Sequence, residues 1–406
     1  MSERVVVTGM AGLCPLGSDW PTVKSRIQSR QSSIKVFDDW GKVKGLNTRL
    51  GAPVEDFSIP SNYPRKKIRS MGRVSLLAAR ATELAIDNSG LTQDDISNPK
   101  TGLVYGSTYP SPSAMGQLAT KLYSGSMEGL SGSEYLKTMS HTCVINLAQF
   151  FQITGRVLPV CSACTSGSQS IGVAYEAIKY GKQSVMLAGG ADELHFAAAA
   201  VFNIMFATST RNHEPNKTPR PFDLHRDGLV VGEGASTLVL ESLSHARKRD
   251  ANILGELIGF ASSCDGEHIV SPSAKGMKQV MSLALENAQI SADQVGYINA
   301  HATGTTVGDK AESLATNACL GNRVPISSLK SYMGHTLGAC GALEAWICLH
   351  CLNEGWLPPT INLDQVDPDC APLNYLTKVT EKQVDIIMSN NFAFGGINTS
   401  LMFKKF

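Results

Sequence analysis

Apolar positions along this chain fall into short runs that alternate with longer stretches of helical spacing. Val5–Gly9, Gly102–Gly106, Arg156–Val160 and Ser184–Gly189 read as strands, and Ser236–Leu240 reads as another after a glycine-marked loop, Gly232-Glu233-Gly234. Between them, Val74–Gly90 and Ser170–Lys182 carry small and apolar residues at helical intervals. A second series begins near Asn252. Ile253–Phe260, Val295–Ala300, Pro325–Leu329 and Asp385–Asn390 read as strands; Lys278–Asn287 and Gly338–Asn353 read as helices. Strands alternating with helices predict an α/β class with largely parallel or mixed sheets. The two series echo each other. Strand, small-residue turn, Cys164 and apolar helix in the first resemble strand, turn, His335 and apolar helix in the second. Polar and charged residues cluster at Leu243–Ala251, which places the boundary there and gives units of 1–245 and 246–406.

Composition narrows the class. The chain has 406 residues, 43% hydrophobic and 17% charged, which suits an enzyme-sized globular protein. A net charge of +1 supplies no general field for nucleic acid. The first residues lack the form of a signal peptide, because Glu3 is acidic and the apolar run is short and broken by glycines. The longest apolar stretch, Phe196–Ala207, is too short to span a bilayer and contains Asn203. A cytoplasmic protein is expected. Ten scattered cysteines, several inside apolar helical runs, fit a reducing compartment.

Cys164 stands out among them. It lies at a strand-to-helix turn among Ser162, Ala163, Ser166 and Gly167, where small neighbours admit a substrate. Unpaired N–H groups and the dipole of the following helix favour a thiolate there. Most cysteines are buried and inert, so the turn alone does not establish a nucleophile. His301 and His335 add weight. Each follows a predicted strand in a glycine- and threonine-rich loop, at the end of an α/β sheet where ligands bind. One histidine is more often structural; two in matching loops with a thiol in a third suggest a site. The fourth element is Asn390–Asn398, whose Gly395-Gly396 permits close ligand approach and whose N–H groups suit an oxyanion hole, or which merely turns between two late strands.

Two C-x-x-C pairs, Cys161/Cys164 and Cys348/Cys351, admit a four-thiolate zinc site. The second pair, however, sits in an apolar helical run unlike a zinc knuckle. A redox motif at Cys161/Cys164 would leave both histidine loops unexplained. The densest basic patch is Arg65-Lys66-Lys67-Ile68-Arg69 with Arg73, either a solvated face or a dock for an acidic partner.

Taken together, these segments resemble the β-ketoacyl-acyl carrier protein synthases of type I/II, in the thiolase superfamily, over essentially the whole chain. Ser162-Ala163-Cys164 is similar to the family's nucleophile motif, and His301 to Asp309 to its His-Gly-Thr-x-Thr-x-x-Gly-Asp loop. Lys330 with Gly334-His335-x-Leu337-Gly338-Ala339 resembles its lysine and Gly-His motif, and Phe392-x-Phe394-Gly395-Gly396-x-Asn398 its C-terminal loop. Arg220–Asp223, Arg226–Gly228 and Gly232–Gly234 resemble a further segment. Five such matches in order are highly specific.

The resemblance implies a thiolase-like fold of two related halves in α-β-α-β-α layers, and a homodimer or a heterodimer with a paralogue. It implies catalysis by Cys164, His301 and His335, supported by Lys330 and Glu344, with Phe394 as gate. Thr303 and Thr305 match residues that hold the carrier's phosphopantetheine arm. Phe392, Thr108 and Tyr109 fall at the acyl pocket, and Lys66 and Arg69 where the carrier docks. No cofactor and no metal are implied. The implied reaction is decarboxylative condensation of malonyl and acyl groups carried on acyl carrier protein, with Lys330 and Glu344 orienting His335. Within the family, Leu46–Pro53 and Cys161–Gly167 resemble ketosynthases of bacterial aryl-polyene clusters more than housekeeping fatty-acid enzymes. Ala302 replaces the usual glycine after the first histidine and stiffens that loop; Thr108 and Tyr109 are larger than usual. A thiolase would carry a second cysteine in the C-terminal loop, which has none. A chain-length factor would lack Cys164. A carrier-binding scaffold would bind without forming an acyl-cysteine.

Overall fold

Residues 2–406 are described by a computed structural model. In chain order the strands of its main sheet are β1 (Val5–Leu13), β2 (Thr101–Gly106), β3 (Val157–Val160), β4 (Val185–Asp192), β5 (Gly234–Ser242), β6 (Gly255–Cys264), β7 (Tyr297–Asn299), β8 (Pro325–Ser327), β9 (Asn374–Tyr375), β10 (Ile386–Phe392) and β11 (Ile397–Lys404). The helices that shape the site are α1 (Arg73–Ser89), α2 (Pro112–Ser124), α3 (Thr142–Phe151), α4 (Ser166–Lys179), α5 (Phe196–Ile204), α6 (Ala274–Ala288), α7 (Thr306–Leu320) and α8 (Cys340–Glu354).

The sheet is two copies of one pattern joined edge to edge. The first half runs β3-β2-β4-β5-β1 and the second β8-β7-β10-β11-β6, with β9 added outside β8. Each half pairs its first three strands in parallel and its last two antiparallel. Within the sheet, among the described residues, the two half-sheets are joined where Val5–Val7 of β1 pairs with Gly255–Leu257 of β6. Helices α4 and α8 contact each other and strands of both halves, α1 and α3 cover the outer face of the first half, and α6, with α7 packed on it, that of the second. These are the α-β-α-β-α layers of a thiolase-like fold.

Burial explains why α8 reads as apolar on all sides. Twelve of its residues are buried, because sheets flank it on two sides and α4 on a third. Each fully buried Leu or Ile there contributes ~1.5–3 kcal/mol of transfer free energy. Helix α1 instead shows a one-sided stripe and stops at Gly90, whose φ of 69° suits glycine. Among the described residues no helix is long and apolar enough to cross a membrane.

Candidate active site

The repeated topology puts Cys164 and His335 at equivalent places. Cys164 follows β3 and precedes α4; His335 follows β8 and precedes α8. The turn before Cys164 is tight, with Ala163 at φ 49°, a left-handed conformation costly for a residue with a Cβ. It is closed by Thr165 N–H donating to Ser162 O and Ser166 N–H to Ala163 O. Glycines then let the halves approach. A Cβ on Gly167 would come within 2.8 Å of Gly338 O, and one on Gly190 within 2.5 Å of the same atom. The His335 backbone is held by the first half, donating to Val230 O and accepting from Gly232 N–H.

His335 Nε2 thereby sits 2.9 Å from Cys164 Sγ. The His301 ring stands edge-on to His335 at 5.2 Å, and the thiol and both imidazoles present ring or sulfur atoms within 4.8 Å of one another. All three are buried. Burial pushes both imidazoles well below their ordinary pKa, and the Lys330 charge acts in the same sense. Burial pushes the Cys164 thiol up to about 12, outweighing Lys330 and the N–H groups of Phe394 and Cys164 that favour its anion. The thiolate expected from the helix terminus is therefore not the resting form; desolvation wins over the dipole.

Lys330 and Glu344 form a fully buried ion pair. Burial opposes the lysine's charge, but the adjacent carboxylate more than offsets it and raises the Lys330 pKa. The sequence expectation that this pair orients His335 needs correcting. Lys330 Nζ reaches Glu344 and no ring nitrogen of His335, so its influence is through charge. Glu344 also accepts from Asn391 Nδ2 at 2.7 Å, which lies 3.6 Å from Cys340 Sγ; that thiol in turn donates to Cys164 O at 3.2 Å.

The His301 loop is built on two carboxylates: Asp309, which closes the motif read in the sequence, and Glu312, which sequence reasoning passed over. Glu312 accepts from His301 N–H and Ala302 N–H; Asp309 accepts from Thr303, Gly304 and Phe222 N–H. Burial raises the Glu312 pKa to about 8 and that of Asp309 to about 6. Arg226 braces the loop from the first half through Thr305 O, Thr306 O and Asp367. A helical spacing of carboxylates on α7 was the available signal.

Cys164, His301 and His335 open onto a cavity of about 280 Å³ that Thr303, Thr305, Phe392 and Phe394 also line. Thr303 and Thr305 hydroxyls bond each other at 3.1 Å. Phe394 packs 5.3 Å from Phe202, a wall residue with no sequence motif. Thr108 and Tyr109 do not line this cavity. Their N–H groups and the Thr108 hydroxyl are taken up by Asp192, which also accepts from Gly338 N–H at 2.6 Å. Lys66 and Arg69 are exposed on and just after a short helix, Arg65–Ile68. Arg73 leaves that patch, spending both its Nε and Nη2 on Glu233. The two C-x-x-C pairs are not gathered into one ligand set: Cys161/Cys164 lie at the turn and Cys348/Cys351 inside α8.

A fold and site of this kind define a ketosynthase. The chain matches the family descriptions "Beta-ketoacyl synthase, N-terminal domain" over residues 2–246 and "Beta-ketoacyl synthase, C-terminal domain" over 254–364. It is 34% identical over 410 residues to 3-oxoacyl-[acyl-carrier-protein] synthase 1 of Haemophilus influenzae, covering 100% of this chain and 99% of that one. A crystal structure of a β-ketoacyl synthase from Burkholderia phymatum superposes with a TM-score of 0.98 at 50% identity, covering 100% of both chains. A ketosynthase of a type II polyketide system, solved with its acyl-carrier protein and a bound hexaketide, superposes with a TM-score of 0.90 at 28% identity, again covering 100% of both. The chain belongs to the β-ketoacyl synthase family and is an acyltransferase.

Proposed function

We propose that this acyltransferase lengthens an acyl chain borne on acyl carrier protein, in fatty-acid or polyketide biosynthesis, by decarboxylative condensation with a malonyl group. The observation that carries the reading is the contact between Cys164 Sγ and His335 Nε2, with His301 beside it, at the wall of one cavity.

In the first half-reaction the thiol proton passes to His335 Nε2 as sulfur attacks the acyl thioester carbonyl. N–H groups of Cys164 and Phe394, which already point at the sulfur, stabilise the tetrahedral oxyanion. The carrier's thiolate leaves and takes the proton from His335, so the acyl group ends on Cys164 with no net change in charge. In the second, a malonyl thioester enters. Its carboxylate departs as carbon dioxide and the bonding pair becomes an enolate. His301 donates to the enolate oxygen from the nitrogen that carries its proton toward the cavity, and His335 does so from Nε2 once proton exchange with solvent has converted its ring from the Nδ1–H to the Nε2–H tautomer. Their depressed basicity keeps them neutral, so they stabilise the enolate without protonating it. The enolate carbon attacks the acyl-cysteine, a C–C bond replaces the C–S bond, and the departing Cys164 thiolate takes up from solvent the one proton that decarboxylative condensation consumes.

Residues 1–245 would supply the nucleophile and 246–406 the two histidines. A second copy, or a paralogue, would cover the sheet edge at β3. The narrower assignment, to an aryl-polyene pathway, rests on the segments Leu46–Pro53 and Cys161–Gly167. Incubation with malonyl carrier protein and a panel of saturated, polyene and aryl-primed acyl carriers tests both levels. Products two carbons longer support condensation, and preference for aryl-polyene primers supports the branch; no product with any primer contradicts both.

A further inference from the structure

Asp192, the last residue of β4, is a fully buried carboxylate whose hydrogen-bond donors are all neutral. Its Oδ1 accepts from the Ser107 hydroxyl and from Tyr109 N–H, each at 3.2 Å. Its Oδ2 accepts from the Thr108 hydroxyl at 2.7 Å and from Gly338 N–H at 2.6 Å. Thr108 N–H lies 3.2 Å from both oxygens. A carboxylate buried without a cation is expensive unless donors occupy it on all sides. Both oxygens here meet only donors, so an amide in the same place would turn its NH2 against one of the two groups of partners. The position calls for a carboxylate rather than for any polar side chain.

The donors come from the two sides of the reacting pair. Ser107, Thr108 and Tyr109 belong to the loop after β2, which borders the nucleophile turn. Ser107 N–H donates to Val160 O at 3.2 Å, and Thr108 O lies 3.9 Å from Cys161 Sγ. Gly338 belongs to the turn that carries His335. That turn holds Leu337 at φ 52°, a left-handed conformation that persists only where its surroundings fix it. A Cβ on Gly338 would lie 2.7 Å from Asp192 Oδ2 and 3.0 Å from Thr108 N, so the loop and the carboxylate close directly on the turn. The next residue, Glu193, accepts from the Ser111 hydroxyl at 3.2 Å and from Val74 N–H at 2.9 Å, which ties down the far end of the same loop.

We propose that Asp192 is a positioning residue for the reaction: it staples the Ser107–Tyr109 loop on the Cys164 side to the Gly338 turn on the His335 side, and so sets the register in which His335 meets Cys164. This rests on the ketosynthase reading above. Asp192 touches neither reacting side chain and acts through the backbone on both. The His335 backbone is held at its own N–H and carbonyl by Val230 and Gly232, and the staple fixes the chain three residues further on. Loss of the carboxylate frees the turn at that second point, and the 2.9 Å contact between Nε2 and Sγ is no longer imposed.

The test uses Asp192→Asn, Thr108→Val, Thr108→Ser and the double variant Asp192→Asn/Thr108→Val, with an acetyl primer, so that the fit of a long chain near Thr108 does not enter. For folded Asp192→Asn the expected result is a kcat for condensation lower by about 10²-fold, as for a misplacement of about 1 Å, with the KM for malonyl carrier protein unchanged. Alkylation of Cys164 by iodoacetamide should slow as well. Charge alone acts the other way: Asp192 raises the Cys164 pKa, so its loss without a change of register would speed alkylation. Thr108→Val removes one arm of the staple and should lower kcat in the same sense, Thr108→Ser should recover most of that loss, and the double variant should be little worse than Asp192→Asn. If Asp192→Asn does not fold, the two Thr108 variants carry the test. A normal kcat in folded Asp192→Asn or in Thr108→Val, faster alkylation, or full additivity overturns the proposal. Failure of the unmutated protein to condense any primer would instead defeat the ketosynthase reading itself.

Discussion

His335 Nε2 stands 2.9 Å from Cys164 Sγ although the residues lie 171 positions apart in the chain. Each follows the third strand of its own half-sheet, so the contact is a product of the repeated topology and of the glycines between the halves. It makes a buried, neutral thiol usable, because the proton acceptor is already in place.

Removing that acceptor should separate the two half-reactions. In His335→Ala the acyl-cysteine still forms, more slowly, while condensation falls ~10²–10⁴-fold, since the enolate loses a donor as well. Rapid-quench measurement of acyl-enzyme and product checks this; product at the unmutated rate contradicts the role.

The buried imidazoles also make stability depend on pH. Their folded pKa values lie well below the ordinary 6.5, so their contribution is fully present above pH 6.5. Below that the unfolded state binds more protons, and each histidine costs ~1.4 kcal/mol per pH unit until its folded pKa is reached. Asp192, Asp309 and Glu312 have raised pKa values and act in the opposite sense. The difference between the unmutated protein and His335→Gln isolates the imidazole. The variant should gain relative stability from pH 6.5 to 5.5 in denaturant unfolding, and a constant difference would contradict the assignment.

Lys330→Met leaves the Glu344 carboxylate buried without its partner, and thermal or denaturant unfolding should register a loss of ~3–5 kcal/mol. The double variant Lys330→Met/Glu344→Gln should recover much of that stability while condensation stays impaired, because the field on both histidines is gone. Recovery of activity with stability would make the pair purely structural.

Gly190→Ala tests the close approach of the halves. Its Cβ would meet Gly338 O at 2.5 Å, in the segment that carries His335. Overpacking of this kind costs ~1–3 kcal/mol, and a displacement of about 1 Å at the site costs ~10²-fold in rate. A folded Gly190→Ala protein with normal kcat would show that the contact does not set the geometry.

The strands, the two central helices and the Cys164, His301 and His335 loops were legible because local patterning carries them. Val5, Val104 and Ile387 sit in apolar runs, and the reactive residues follow such runs directly. Glu312 and Asp192 were not legible as site elements, because their partners are backbone N–H groups brought in by folding: Gly338 lies 146 positions from Asp192. The bonds of Thr108 and Tyr109 to Asp192 were not legible for the same reason. A loop after a strand was visible, but not that a buried carboxylate would claim its donors. The Cys164 pKa required the depth of burial, which outweighs the helix terminus that the sequence does show.

Cys164 as the acceptor of the acyl group is most directly tested by intact-protein mass spectrometry after incubation with acyl carrier protein bearing a range of primers. The account predicts a mass increase of one acyl group, mapped to Cys164 by peptide analysis and absent in Cys164→Ala. No increase with any primer, or an increase that survives in Cys164→Ala, would contradict it.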